Sequence, residues 1–201
     1  MSSEIAKGVL RSFCISVLWV ALGTIQLPMF YPLVAMEKEV SGIWIGIILA
    51  IRPITGILTT PFINRHILKV SVEKTILISG IIYALGFVAF SFVCLIDNTG
   101  TFIAVSFLIQ LLVGTATAAL MIGEQCLLLR YSVKSEREKN LGMFRVASGL
   151  GGLLSPMVGS AMYALGGFIA TFMSVGVGFL IICPYVYYKL TAAKIEWDAE
   201  I

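Results

Sequence analysis

Three ionisable residues stand inside stretches otherwise free of charge: Arg52, Glu124 and Arg145. At the centre of an isolated membrane helix each costs about 2.5–3.5 kcal/mol, so each is expected to have a partner or a task. Glu124 precedes the basic boundary at Arg130, and Arg145 follows the basic run Lys134–Lys139. At a helical rise of about 1.5 Å per residue, Glu124 lies about 9 Å and Arg145 about 6 Å from the same surface. Matching depth predicts an intramembrane Glu124–Arg145 ion pair. Arg52, beside Pro53, lies roughly 15 Å from the opposite surface, and no acid of the chain shares its depth. It is expected to snorkel, face a wet cavity, bind an anion or pair with another chain. Gln26 and Gln110 are further cavity or interface candidates, and Gln125 is a weaker hint of the same kind. Hydrogen bonds between helices are the plainer reading of all three.

No catalytic constellation accompanies these residues. His66, the single histidine, falls in a loop. A Gly-x-Ser-x-Gly elbow, a His-Glu-x-x-His helix, an intramembrane Asp pair and a Walker motif are all missing. Cys14, Cys94, Cys126 and Cys183 have no CxxC spacing and no histidine neighbour, so they read as small buried apolar side chains. The expectation is a non-enzyme without metal, cofactor or nucleic-acid partner. The Asn-Pro-Ala pair of water channels and the threefold Pro-x-Asp/Glu-x-x-Lys/Arg repeat of mitochondrial carriers are also absent.

The elements that must position these residues are helices in a bilayer. Of 201 residues, 59% are hydrophobic and 12% charged, against about 25% charged in an average soluble domain. Mean hydropathy is +0.99. Six apolar runs, near 10–36, 42–63, 75–96, 102–129, 142–166 and 168–188, are each long enough to cross a hydrocarbon core of ~30 Å as a helix. Breaks fall at Glu37-Lys38-Glu39, Asn64-Arg65-His66, Asp97–Gly100, Lys134–Lys139 and Gly166-Gly167. Barrel strands would alternate over ~10 residues instead. The fold class predicted is an all-α integral membrane protein, a six-helix transmembrane domain over 1–190 with a short polar tail over 191–201. The first run contains Gln26, Pro28 and Pro32 and is followed by no A-x-A-like site, so it reads as a true first helix, not a cleaved signal.

Orientation follows from the basic residues. Eleven of the 14 Lys and Arg fall in the two tails and the two loops on one side, against Lys38 alone on the other. By the positive-inside rule both termini lie on the cytosolic or matrix-type side. The organelle is not encoded legibly.

The fifth run is rich in small residues: Gly149, Gly151, Gly152, Ser155, Pro156 and Gly159. Gly151, Ser155 and Gly159 recur every fourth position, so they share a face on which another helix can approach closely. Pro156 lacks an N–H and is expected to bend the helix.

The stretch 137–176 resembles the fifth-helix signature of drug/proton antiporters of the major facilitator superfamily, a pattern of the type G-x3-G-P-x2-G-G. It is most similar to the branch of vesicular amine and polyamine transporters, where a glycine-rich helix leads into a turn like Tyr163-Ala164-Leu165-Gly166-Gly167-Phe168. More weakly, the fourth run from Gln110 through Gly114, Ala116 and Ala118 resembles the family's R-x3-G-x-G-x-A motif, and Thr60-Pro61-Phe62 resembles the end of its second helix. The departures are specific. Gln110 stands where the family has arginine, Ser155 where it has glycine before the proline, and Arg145 where the branch is often acidic. Residues 63–74 carry neither the Asp nor the Gly of the family's gating latch.

The resemblance implies one six-helix half of a twelve-helix architecture, the N-terminal one. A substrate site would lie between halves, near the midplane. Two functions follow. The first is a half-size transporter for a small organic solute that needs a second half, another copy or another chain, to alternate access. The second is a degenerate transporter fold serving as an accessory subunit of a larger membrane complex. Lipid is a partner in either case.

Overall fold

The computed structural model describes residues 3–67, 71–132 and 134–199, with side chains described for 8–65, 71–132 and 134–192. Lys69 and the side chains of Lys7, His66, Lys194 and Trp197 therefore lie outside the described set. The described residues form five α-helices: α1 (Ser3–Glu37), α2 (Gly42–Ile67), α3 (Val72–Ser91), α4 (Thr99–Tyr131) and α5 (Arg137–Ala199). Short 3-10 turns at Val93–Leu95 and Lys134–Glu136 join α3 to α4 and α4 to α5. The expected tail from 191 onward continues α5 as far as Ala199.

Local chemistry sets the helix ends. α1 stops in a left-handed residue, Glu39 at φ 56°. The Val40 N–H returns to the Ala35 carbonyl and the Glu39 N–H to the Met36 carbonyl, both at 3.0 Å; this is a Schellman closure, which satisfies carbonyls the helix leaves open. Ser71 caps α3 by accepting from the Lys74 N–H. Asn98 caps α4 by accepting from the Thr101 N–H at 2.9 Å. Each cap satisfies an otherwise orphaned N–H at a helix start.

All five helices are long and apolar enough to cross a membrane, where the sequence predicts six spans. The difference lies in α5, whose 63 residues far exceed the roughly 20 that one crossing needs. Its helical geometry breaks at Gly166 and Gly167, the latter at φ 63°, ψ −151°. Before the break, Gly151 packs on Leu18 and Gly159 on Phe30, so this limb runs parallel to α1. After it, Phe168 meets Phe90 and Phe179 meets Tyr83, so the second limb runs antiparallel to α3. Gly151 and Gly178 reach the same level of α1, at Leu18 and Trp19. The chain therefore reverses at the break, and the two limbs lie antiparallel.

α1 is the central element, packed along the first limb of α5 and also against α4. The aromatic core fills the space between α1, α3, the start of α4 and the second limb. Tyr31 stacks on Phe102 at 5.7 Å, and Phe172 meets Phe90 edge-on at 5.1 Å. Such pairs add about 0.5–1.5 kcal/mol each beyond burial. α2 packs chiefly on α4 and barely touches α1. That gap is what opens the site.

Candidate functional site

Between α1, α2 and α4 lies a cleft of about 560 Å³. Its walls are mostly apolar, with Leu27, Leu49, Ile57, Met121 and Ile122 among them. The charge in this lining belongs to Arg52, which is 6% exposed. Two threonines hold it. Arg52 Nη2 donates to Thr24 Oγ1 at 3.0 Å and to Thr117 Oγ1 at 3.1 Å. Each hydroxyl spends its own proton on its own helix: Thr24 donates to the Val20 carbonyl and Thr117 to the Val113 carbonyl, both at 2.7 Å. What remains on each oxygen is lone pairs, and these face the guanidinium. The arrangement suits a cation and offers nothing to neutralise it.

Behind the guanidinium stand two aromatic rings. Its carbon lies 5.4 Å from the Phe87 centroid and 5.8 Å from that of Tyr83, within cation–π reach. The Tyr83 hydroxyl is committed to the Val20 carbonyl at 3.3 Å. Arg52 Nη1 is buried with no acceptor among the described residues. α2 can bring Arg52 this deep because Gly114 of α4 presents no side chain to the Arg52 backbone.

Of the three sequence candidates, Arg52 lines the cleft and the two glutamines do not. Gln26 is fully buried with both amide atoms unpartnered among the described residues, close to Gly159 in the α1–α5 seam. It lies two positions beyond Thr24, about 200° around the helix, so it faces away from the cleft. Gln110 is 1% exposed and sits outside the lining, its Oε1 without a partner. Gln125 does line the cleft, together with Thr60.

The Glu124–Arg145 ion pair is a correction. Glu124 is fully buried and accepts the Ser16 hydroxyl across to α1, while Arg145 is exposed. Equal depth fixes position along the membrane normal but not direction around the helix. The first limb of α5 lies against α1, not α4, and so carries Arg145 elsewhere. The small residues of that limb also divide. Gly151 meets the Leu18 backbone, Gly152 meets Ile25, Ser155 donates to the Leu22 carbonyl at 2.8 Å, and Gly159 meets Phe30. Gly149 has nothing within 4 Å.

Sequence reasoning missed Thr24, Thr117, Tyr83 and Phe87. The available signal was the pair of hydroxyls on separate apolar helices at the depth of Arg52.

Long apolar helices around a cleft that buries Arg52 are those of a multi-pass membrane protein. The family model of the Major Facilitator Superfamily matches residues 11–200, and the chain belongs to that superfamily. A comparison with curated proteins gives no match.

Proposed function

We propose that the chain acts as one six-crossing half of a transporter for a small organic solute, with a second bundle completing the alternating-access pathway. The observation that carries this reading is Arg52, buried at the wall of an open cleft and held there by two threonines. Intramembrane charge placed in a cavity is the usual mark of a substrate or ion path. α2 supports the same reading. It is the least buried of the five apolar helices, and its outward Ile43, Ile54, Leu58 and Phe62 leave an apolar face for a facing bundle. The signature in 137–176 favours the drug/proton antiporter branch, and the basic-residue bias favours both termini on the cytosolic or matrix-type side.

One observation favours the accessory role: residues 63–74 lack the Asp and the Gly of the family's latch. Native mass in mild detergent, followed by uptake into reconstituted vesicles, separates the two. The half-transporter predicts a complex of two bundles and uptake that Arg52→Ala abolishes at unchanged mass. Co-migration with a large assembly, with no second bundle and no uptake, overturns it.

A further inference from the structure

We infer that the α1–α2–α4 cleft takes an amphipathic organic anion, a carboxylate head on an apolar body, with Arg52 as its counterion. This rests on the reading of the cleft as a solute site, and it names the charge that solute must carry.

Three observations converge. First, Arg52 is the charged group of the lining, and no Asp or Glu contributes to that lining among the described residues. Its polar partners are the neutral hydroxyls of Thr24, Thr117 and Tyr83, whose protons are spent elsewhere, and its buried Nη1 has no hydrogen-bond acceptor among the described residues. The aromatic faces of Tyr83 and Phe87 ease the charge but do not cancel it. Buried charge without a counterion is costly, and a bound anion is what would compensate it. Second, the remaining walls are apolar side chains around about 560 Å³, room for the body of a drug-sized molecule. Third, the far end is polar but uncharged. Thr60 and Gln125 each lie eight residues beyond Arg52 and Thr117 on their own helices, about 12 Å along the axis. No carboxylate lines that end among the described residues to pair with an ammonium group. A cation about 6 Å from Arg52 would lose roughly a hundredfold in affinity at an effective dielectric near 20. The cleft thus opposes the amine charge that the resemblance of residues 137–176 implies.

The test is a charge series on one scaffold: 4-phenylbutyrate, neutral 4-phenylbutanol and cationic 4-phenylbutylamine. Their binding to the full chain in detergent is measured by equilibrium dialysis. The carboxylate is expected to bind about tenfold or more tighter than the alcohol, with the amine weakest, as a charged hydrogen bond to Arg would give. This comparison needs no variant to fold. Arg52→Ala should erase the preference, and Arg52→Lys should keep part of it. Equal binding of all three probes, preference for the amine, or no binding overturns the proposal. Dioctanoyl phosphatidylglycerol serves as the lipid arm; if it binds and phenylbutyrate does not, the cleft belongs to the bilayer and the solute assignment fails. The cleft lies within one chain, so the series does not depend on a second bundle. An anion preference in a chain found only in a large assembly would sink the half-transporter reading alone. Arg52-dependent uptake by a two-bundle complex without that preference would sink the substrate class alone.

Discussion

Gly114 of α4 lies directly against the backbone of Arg52 on α2. A Cβ built on Gly114 would stand 2.6 Å from the Arg52 carbonyl oxygen and 3.1 Å from its Cα. Backbone cannot yield as a flexible side chain can, so Gly114→Ala must push the two helices apart. Overpacking of this kind costs about 1–3 kcal/mol. The same displacement would draw Arg52 Nη2 away from Thr117, which shares α4 with Gly114. Gly114→Ala is therefore expected to lower the melting temperature in detergent and to weaken anion binding together. Gly56→Ala is the control. Its nearest neighbours are at 3.7 Å or beyond, an ordinary contact distance, so it should leave the melting temperature near wild type.

The α1–α5 seam orders the cost of substitutions along one helix. A methyl on Gly151 would run into the Leu18 carbonyl, whereas Gly149 has open space around it. Ser155 lies between, with one hydrogen bond to the Leu22 carbonyl at 2.8 Å. Hydrogen bonds between membrane helices average about 0.6 kcal/mol. Thermal unfolding should therefore rank Gly151→Ala as most damaging, Ser155→Ala as mild and Gly149→Ala as neutral or slightly stabilising. A Gly149→Ala variant as unstable as Gly151→Ala would mean that the limb presents a different face to α1.

Glu124 has Ser16 as its partner and Arg145 points away, which a double-mutant cycle can verify. Uncoupled sites add to within about 0.5 kcal/mol. Glu124→Gln with Arg145→Ala should show no coupling beyond that. Glu124→Ala with Ser16→Ala should show it, because each single change removes the hydrogen bond that Ser16 donates to Glu124. Coupling between Glu124 and Arg145 above about 1.4 kcal/mol, a factor of ten in stability, would restore the ion pair.

How far the sequence was legible follows a single division, between depth and direction. Depth along a helix is a count of residues, so the apolar runs could be read. Direction around a helix needs to know which neighbour lies where, and one chain's periodicity is silent when every face is apolar. Gln26 and Thr24 differ by two positions, yet one faces the α1–α5 seam and the other the cleft. Thr24 and Thr117 were hidden for a related reason. A threonine in an apolar helix ordinarily bonds its own preceding turn, and both do; their second use, accepting from Arg52, appears only when three helices are assembled. The reversal inside α5 was legible at Gly166-Gly167, because two adjacent glycines interrupt a run too long for one crossing.

That reversal supplies the last prediction. Gly167 sits at φ 63°, ψ −151°, a region that L side chains rarely enter. Space is not the constraint, since a Cβ there would meet nothing within 4 Å. Gly166 is the opposite case: its φ of −161° is extended backbone, but a Cβ would come within 2.8 Å of the Ala170 Cβ. Gly167→Ala should therefore cost about 1–3 kcal/mol through backbone strain alone, with D-alanine at that position restoring stability in a semisynthetic chain. Gly166→Ala should be relieved instead by Ala170→Gly, which removes the opposing methyl. If D-alanine fails to rescue position 167, the strain account of the turn is wrong, and the two limbs are held antiparallel by packing of Phe168 and Phe172 against α3 rather than by the turn itself.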